Sequence, residues 1–381
     1  MKNRRRNWIF CIVMGVVTIA MGFLPSRGGM PGTGGIPRVS VRIDAVDNTQ
    51  LAPLGIVYSG VQLCEATVMS GEHKGKTAQA INNLDSAIDK DKLFEPGDKA
   101  LAMLHMKDGE IRSLTLIDHY RLPMQGLLFG LFGLLLVVFG GVSGAGALVS
   151  LAASVMIMWK LLIPMLYAGI SPTLCALGVV VLLTFMIDLL VAGFTRTAWI
   201  AIAGSLLGTL TTCALSAAFG RMLKLDGSNL PYVVPILAQS ALKFNLRELF
   251  FAMAFIANSG ALMDLSMDVS SACQEVRAHA PDIRRRELLK SGFAVGRNVI
   301  GTMTTTLMLA YSGSYLSLLL YFFGQGTPII DILNLKYVAS EVLITLVGSF
   351  GLVTVAPFIA IAASLVFTRR DATHPRLREG D

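Results

Sequence analysis

Long apolar stretches separated by short polar ones make up most of this chain. After an apolar run from Trp8 to Leu24, seven more follow, at about 125–142, 146–167, 173–194, 198–219, 248–270, 299–323 and 339–367. Each is close to or above the roughly 18 to 20 residues that a helix needs to cross the hydrocarbon core of a membrane. The pattern predicts a membrane all-α helical bundle with about eight transmembrane helices.

Residues 38–122 follow a different pattern, with mixed charge and short alternating stretches. RVSVRIDAV (38–46) and much of ALAMLHMKDGEIRSLTLID (100–118) alternate with period two, which is typical of half-buried strands. Lys107-Asp108-Gly109 and Glu95-Pro96-Gly97-Asp98 are predicted turns. We therefore expect a small β-rich domain, either a compact barrel or a sandwich.

The chain divides on this basis into four parts. Residues 1–24 are predicted to be an N-terminal signal anchor, and residues 25–124 an extracytoplasmic β-rich domain that begins with a Gly/Pro-rich linker at 25–37. Residues 125–370 are predicted to form a seven-helix transmembrane bundle, and residues 371–381 a cytoplasmic tail. The alternative for the N-terminus is a cleaved signal peptide, with Ala20 and Gly22 as the small residues before the cut.

Composition and charge agree with a membrane protein. The chain is 54% hydrophobic and 15% charged, with a mean hydropathy of +0.63, whereas soluble domains carry roughly a quarter charged residues. The net charge of +7 comes from basic residues gathered in a few short loops. This distribution predicts a multi-pass protein of a cell (inner) membrane with both termini in the cytoplasm, and it argues against nucleic acid as a partner.

Catalytic and cofactor motifs are missing from the sequence. It has no HExxH, GxSxG or Walker-type loop, and its cysteines show no metal-site spacing, so we expect neither an enzyme nor a bound cofactor or metal. Among its five cysteines, Cys64 alone lies in the predicted extracytoplasmic domain. We expect a free thiol there, and a disulfide with Cys175 is the alternative.

Carboxylates inside predicted spans are the strongest candidates for function. Asp264 and Asp268 lie four residues apart and so share a helix face, and Asp188 lies in the apolar stretch LLTFMIDLLVAGF. Asp188 and Asp264 each precede the cytoplasmic end of a predicted span by about six residues, or about 9 Å. Charged groups at such depth are costly, which makes them a functional-site hypothesis.

Other polar residues enter the same spans. The threonines Thr302, Thr305 and Thr306 lie at the cytoplasmic start of the predicted span 299–323. Arg297 precedes this span and could pair with Asp268. Lys160 lies in the middle of another span, beside a local break suggested by Trp159 and Pro164. The threonines and glycines 260, 296 and 301 have a packing role as the alternative. The predicted substrate- or ion-binding set is Asp188, Asp264, Asp268, Thr302, Thr305, Thr306, Lys160 and Arg297.

Two stretches carry a resemblance to a known family. GALMDLSMDVSSACQEV (260–276) and LLKSGFAVGRNVIGTMTTTLMLAYSGSYLSLLL (288–320) resemble the YibE/F-like membrane proteins. The resemblance implies an N-terminal span, a small extracytoplasmic domain ending in a D-x-Y-R stretch (Asp118, Tyr120, Arg121), and about seven further spans. Asn298 and Thr305 stand where the family commonly has aspartate and asparagine. The resemblance implies architecture and no specific activity.

Two functions fit these observations. The first is a secondary permease or ion-coupled transporter of a small solute or ion, based on the shared layer of polar residues. The second is a non-transporting envelope scaffold or assembly factor whose residues 25–124 bind an envelope protein. In either case the bilayer itself is a partner.

Overall fold

The chain folds into two compact units. The structure, a computed structural model, describes residues 2–23, 36–107, 109–238 and 245–368. One unit comprises Arg27–Leu134, and the other comprises Met1–Ser26 together with Leu135–Asp381. The predicted tail 371–381 and most of the predicted linker lie outside the described residues.

The first unit contains a closed β-barrel. Its strands are β1 (Arg38–Asp47), β2 (Leu51–Leu54), β3 (Val57–Val68), β4 (Thr77–Asp85), β5 (Lys99–Lys107) and β6 (Glu110–His119). The sheet order is β1-β5-β6-β4-β3-β2, and β1 also pairs with β3 and closes the barrel. Since β4 and β6 pair in parallel and the other pairs are antiparallel, the five long strands have the topology of an OB-type barrel. The barrel alternative of the sequence analysis is confirmed.

Alternation along the strands builds the barrel core. Val41, Ile43, Ala66, Ala100 and Leu114 have no exposed surface, and they come from strands in which every second side chain points inward. The predicted turns are confirmed as well. Lys107 pairs with Glu110 across a hairpin whose Asp108 lies outside the described residues, and the Asp98 N–H donates to the Glu95 carbonyl at 3.1 Å.

A buried amide holds the loop between β4 and β5 against the barrel. Gln62 is fully buried and its Nε2 donates to the Phe94 carbonyl at 2.9 Å, while its Oε1 accepts from the Phe94 N–H at 3.1 Å and from Asn82 at 3.0 Å. Because every hydrogen-bonding atom of this side chain has a partner, the amide stabilises the barrel instead of weakening its core.

The second unit is helical, and α2 begins in the first unit and continues into the second. The bounds of the helices are α1 (Lys2–Phe23), α2 (Leu122–Ile157), α3 (Ile163–Tyr167), α4 (Pro172–Val191), α5 (Arg196–Met222), α6 (Val233–Ala238), α7 (Leu246–His279), α8 (Arg285–Ser314), α9 (Leu316–Gly324), α10 (Ile329–Asn334) and α11 (Lys336–Thr368). A π-helical turn, Met158–Leu162, joins α2 to α3. Five helical stretches among the described residues are long and apolar enough to cross a membrane, or six if the bent pair α8–α9 is one span. A polytopic helical membrane protein is thus supported, whereas the predicted count of eight is not confirmed.

Much of the difference in count comes from one long stretch. Leu122–Tyr167 is an apolar helical stretch of 46 residues, and as a straight helix it would be about 69 Å long, over twice the hydrocarbon core. Gly141 interrupts it with φ 55° and ψ −124°. A Cβ on Gly144 would lie 2.0 Å from the Leu136 carbonyl oxygen, although eight residues of straight helix span about 12 Å. The chain therefore turns sharply at Gly141, close to the break predicted between 125–142 and 146–167.

The stretch between the predicted spans 248–270 and 299–323 is mostly helical, so the predicted boundaries of these helices were wrong. Helix α7 continues to His279 and α8 already begins at Arg285, where the sequence predicted span boundaries at 270 and 299. The side chain of Glu287 accepts a hydrogen bond from the Arg284 N–H at 3.3 Å, which caps α8 from within its first turn. Charged residues lower the hydropathy of these helix ends, so a hydropathy pattern does not identify them as helical.

The predicted span 299–323 is also not one helix. It is broken after Ser314, and α8 and α9 are inclined by 63°.

The segment between α5 and α6 is held by contacts with α11. Lys336 Nζ lies 3.0 Å from the Asp226 carboxylate, and Asn229 donates to Ser340 at 2.9 Å. Hydrogen bonds from Ser228 and Lys336 hold the pKa of Asp226 well below its usual range. The part of the predicted loop at 239–244 lies outside the described residues.

A fully buried amide joins the central helices. Asn258 on α7 donates from Nδ2 to the carbonyls of Ala254, at 2.8 Å, and of Ile344 on α11, at 3.1 Å. Its Oδ1 accepts from the Tyr311 hydroxyl of α8 at 3.2 Å. Gly348 makes room for it, because a Cβ at that position would lie 1.9 Å from Oδ1.

Of the three glycines for which a packing role was the alternative, one lies in a close helix contact. A Cβ on Gly296 would lie 3.0 Å from the Cβ of Ala356, whereas one on Gly260 or Gly301 would meet nothing within 4 Å.

The substitution Gly348→Ala should destabilise the helical unit, because the methyl group would displace an amide that is hydrogen-bonded on both sides. We expect the free energy of unfolding to fall by about 2 kcal/mol or more, because the site becomes overpacked and hydrogen bonds are lost. Thermal unfolding in detergent should show a clearly lower midpoint. Gly260→Ala on α7 is the matched control, since it adds the same methyl group where space is open. Equal midpoints for both variants would show that the Asn258 site tolerates displacement.

The Cys64 thiol should react slowly with alkylating reagents. It is free and 2% exposed, and burial raises its pKa to about 11. At pH 8 the reactive thiolate is therefore scarce, and labelling should increase as the pH approaches 11. The measurement is maleimide labelling of a variant that keeps Cys64 alone. The control carries Cys64→Ser and Thr49→Cys, at an exposed position, and labelling of Cys64 at the control's rate would contradict the expectation.

Candidate functional site

Two packed helices, α4 and α7, hold the predicted carboxylates. Asp188 lies in the last turn of α4, and its side chain is 2% exposed among buried neighbours such as Thr184 and Met186. Its Oδ2 atom is buried and has no hydrogen-bond partner. Buried carboxylate oxygens without a partner are costly, so this atom marks a place where a proton or a cation would be bound favourably.

Asp264 on α7 lies close enough to Asp188 for the two charges to interact. The two carboxylates lie within electrostatic range of each other, and Asp264 is in turn within range of Asp268. The structure therefore brings together three of the predicted residues, as a row that starts in the protein interior and runs along α7. Adjacent like charges repel each other, and binding a proton or a cation relieves the repulsion.

The outer part of this row lies at the surface of the helical unit. Asp264 and Asp268 are exposed, in contrast to Asp188. Exposed carboxylates on a membrane helix are unfavourable against lipid and favourable against water or an ion. The row is thus arranged as a path from the surface to a buried end.

The predicted threonines bond within their own helix. The hydroxyl of Thr302 donates to Val299 at 3.0 Å, that of Thr305 to Gly301 at 3.3 Å and that of Thr306 to Thr302 at 3.0 Å, all to carbonyl oxygens of α8. All three side chains are exposed. Among the described residues, none of the hydrogen bonds of these hydroxyl groups reaches the carboxylate row. Their helix also begins at Arg285, so they lie well inside α8 and not at its start.

The two predicted cations lie in different settings. Lys160 is half-buried in the π-helical turn Met158–Leu162, which confirms the local break expected near Trp159 and Pro164. Such π turns often accompany functional sites. Arg297 is exposed on α8, and within the described part of the chain no ion pair joins it to Asp268.

Sequence reasoning missed a second polar group. Glu341 near the start of α11 is half-buried, and Tyr315 lies close to it. Tyr311 and Asn258 form the adjacent hydrogen bond described above. The missed signal was a glutamate in the apolar stretch VASEVLITL (338–346), the same signal that identified Asp188.

Metal binding by several side chains finds no support in the described ranges. No three His, Cys, Asp or Glu side chains there are grouped closely enough to hold a metal ion.

The long apolar helices among the described residues are those of a polytopic helical membrane protein. A family model described as YibE/F-like protein matches residues 128–369. The chain therefore belongs to the YibE/F-like family. The match begins within α2, so the barrel and the stretch Asp118, Tyr120 and Arg121 precede it. Neither the comparison with curated proteins nor that with solved structures found a match.

Proposed function

We propose that this YibE/F-like protein is an ion-coupled secondary transporter of an inner membrane, with a proton or a monovalent cation as coupling ion bound between Asp188 and Asp264. The supporting observation is the buried, unpartnered Oδ2 of Asp188 beside a second carboxylate. Other membrane proteins use intramembrane carboxylates in this way as ion sites and proton relays.

The proposed coupling follows from charge. When both carboxylates are ionised, they repel each other and the buried oxygen of Asp188 lacks a partner. The protein without a bound ion is therefore in an unfavourable state. Binding one proton or cation neutralises part of that charge and favours a more closed arrangement of α4 against α7. A ligand shifts such an equilibrium by its different affinity for the two states, and this difference would drive movement of a second solute.

The variants Asp188→Asn and Asp264→Asn should each lose ion flux while the protein is still inserted. Asparagine keeps the shape and removes the charge. In proteoliposomes with an imposed membrane potential, proton entry is followed by an internal pH dye and cation entry by radioactive sodium. Both variants should fall to the rate of protein-free vesicles, and Asp268→Asn should have a milder effect because it lies at the outer end of the row.

Asp331→Asn on α10 is the matched control, since Asp331 is exposed and distant in sequence from the row. Protein abundance is measured alongside flux. If the carboxylates serve folding instead, abundance will fall with activity. Wild-type flux in both Asp188→Asn and Asp264→Asn would refute the proposed ion site.

The proposed orientation places both termini in the cytoplasm and the barrel outside. It is supported by the arginine-rich segment 277–297, because short segments rich in Lys and Arg stay on the cytoplasmic side. Reporters fused after residues 110 and 285 should therefore report opposite sides of the membrane. A report from the same side would show that the number of spans between them is even, whereas the proposed orientation needs an odd number.

A specific feature of the barrel favours the scaffold as a second candidate function. A cleft of about 510 Å³ lies along β1, β3 and β4, and Asp47, Leu63, Glu65, Thr77 and Gln79 are among its lining residues. OB-type barrels bind ligands on the face formed by the corresponding strands. An envelope protein with a basic segment would fit the two carboxylates at this cleft.

One comparison separates the two candidates. In a strain that depends on the protein, a scaffold requires the cleft, so Glu65→Lys should abolish complementation while Asp188→Asn preserves it. A transporter predicts the reverse result. Glu110→Lys, at an exposed strand end that does not line the cleft, controls for the added charge.

A further inference from the structure

A cavity separate from the carboxylate row lies between the ends of α8, α9 and α11. Its volume is about 340 Å³, within the range of sites that hold small organic ligands. The break after Ser314 and the 63° inclination of α9 open it. Most of its wall is apolar, including Met308, Leu318, Leu319, Val338, Val342 and Leu346.

The polar groups of the cavity carry one negative charge. Glu341 lines it, together with Tyr311 and Tyr315. The residues that line the cavity include no Lys, Arg or His, and Glu341 takes part in none of the ion pairs found among the described residues. Tyr315 lies close to the carboxylate, which has the capacity to accept further hydrogen bonds from a ligand.

Further features favour a cation at this place. Helix α8 ends at the cavity, and the last carbonyl groups of a helix carry partial negative charge. The faces of two tyrosines attract organic cations. Discontinuous membrane helices also place such helix ends at ion and substrate sites in transporters.

We propose that this cavity is a binding site for an organic monocation with an apolar body, either a free amphiphilic amine or the amine headgroup of a lipid. The charge contacts Glu341, the tyrosine rings flank it, and the apolar body fills the rest of the cavity. An anion is repelled, and a neutral molecule of the same shape leaves the carboxylate unpaired. This site goes beyond the proposed ion coupling and does not depend on Asp188 or Asp264.

Binding is tested with the full-length protein in nanodiscs of phosphatidylglycerol, using benzyltrimethylammonium as the probe. Its neutral isostere, neopentylbenzene, has the same shape without the charge. Equilibrium dialysis should show saturable binding of the cation and much weaker binding of the isostere. Glu341→Gln should weaken cation binding about tenfold or more, as expected for the loss of a charged hydrogen bond, and Asp331→Asn should leave it unchanged.

A second variant makes the test independent of the charge substitution. Leu319→Trp keeps Glu341 and fills the cavity from a partly exposed position, so it should also abolish binding. Asp188→Asn should bind the probe normally, which separates this site from the proposed ion site. Adding phosphatidylethanolamine to the nanodiscs weakens probe binding if the natural occupant is a lipid headgroup and has no effect if it is a free amine. Equal binding of cation and isostere, or unchanged binding in Glu341→Gln and Leu319→Trp, would overturn the proposal.

Discussion

The helical unit depends on close contact between helices around the buried amide of Asn258. In a membrane the hydrophobic effect does not hold helices together, so packing of small residues and hydrogen bonds between helices must do so. Asn258 supplies both at one point, since its amide joins α7 to α8 and α11 and fits only because Gly348 lacks a side chain. Gly208 on α5 makes a similar approach, where a Cβ would lie 2.5 Å from Val355 of α11. These contacts give the unit a rigid centre on which the polar groups at its edges are positioned.

The carboxylate row is compatible with this centre because it lies to one side of it. Asp188 and Asp264 come from α4 and α7, and the hydrophobic cluster of α5, α7, α8 and α11 lies on another face of α7. A repulsive pair inside the central cluster would act directly against its packing. At the α4–α7 contact the same repulsion affects one helix pair, and an ion can relieve it.

The sequence predicted those features that depend on local pattern. Alternation predicted the strands of the barrel, apolar length predicted the membrane helices, and the spacing of Asp264 and Asp268 placed them on one helix face. Features that need two distant segments were missed. The cavity at Glu341 depends on Tyr311 and Tyr315 from another helix and on a break after Ser314 that no proline or glycine pair announces. The helical ends of α7 and α8 were missed for a different reason, since charged residues lower hydropathy without disfavouring a helix.

Irregular backbone occurs in the helical unit where ionisable groups are found. Lys160 lies in a π-helical turn and Glu341 faces the break between α8 and α9. Regular membrane helices satisfy their own backbone groups, so departures from them are tolerated where protein or water supplies other partners. Tyr311 links the cavity at the α8–α9 break to the centre of the unit, because it both lines that cavity and donates a hydrogen bond to Asn258.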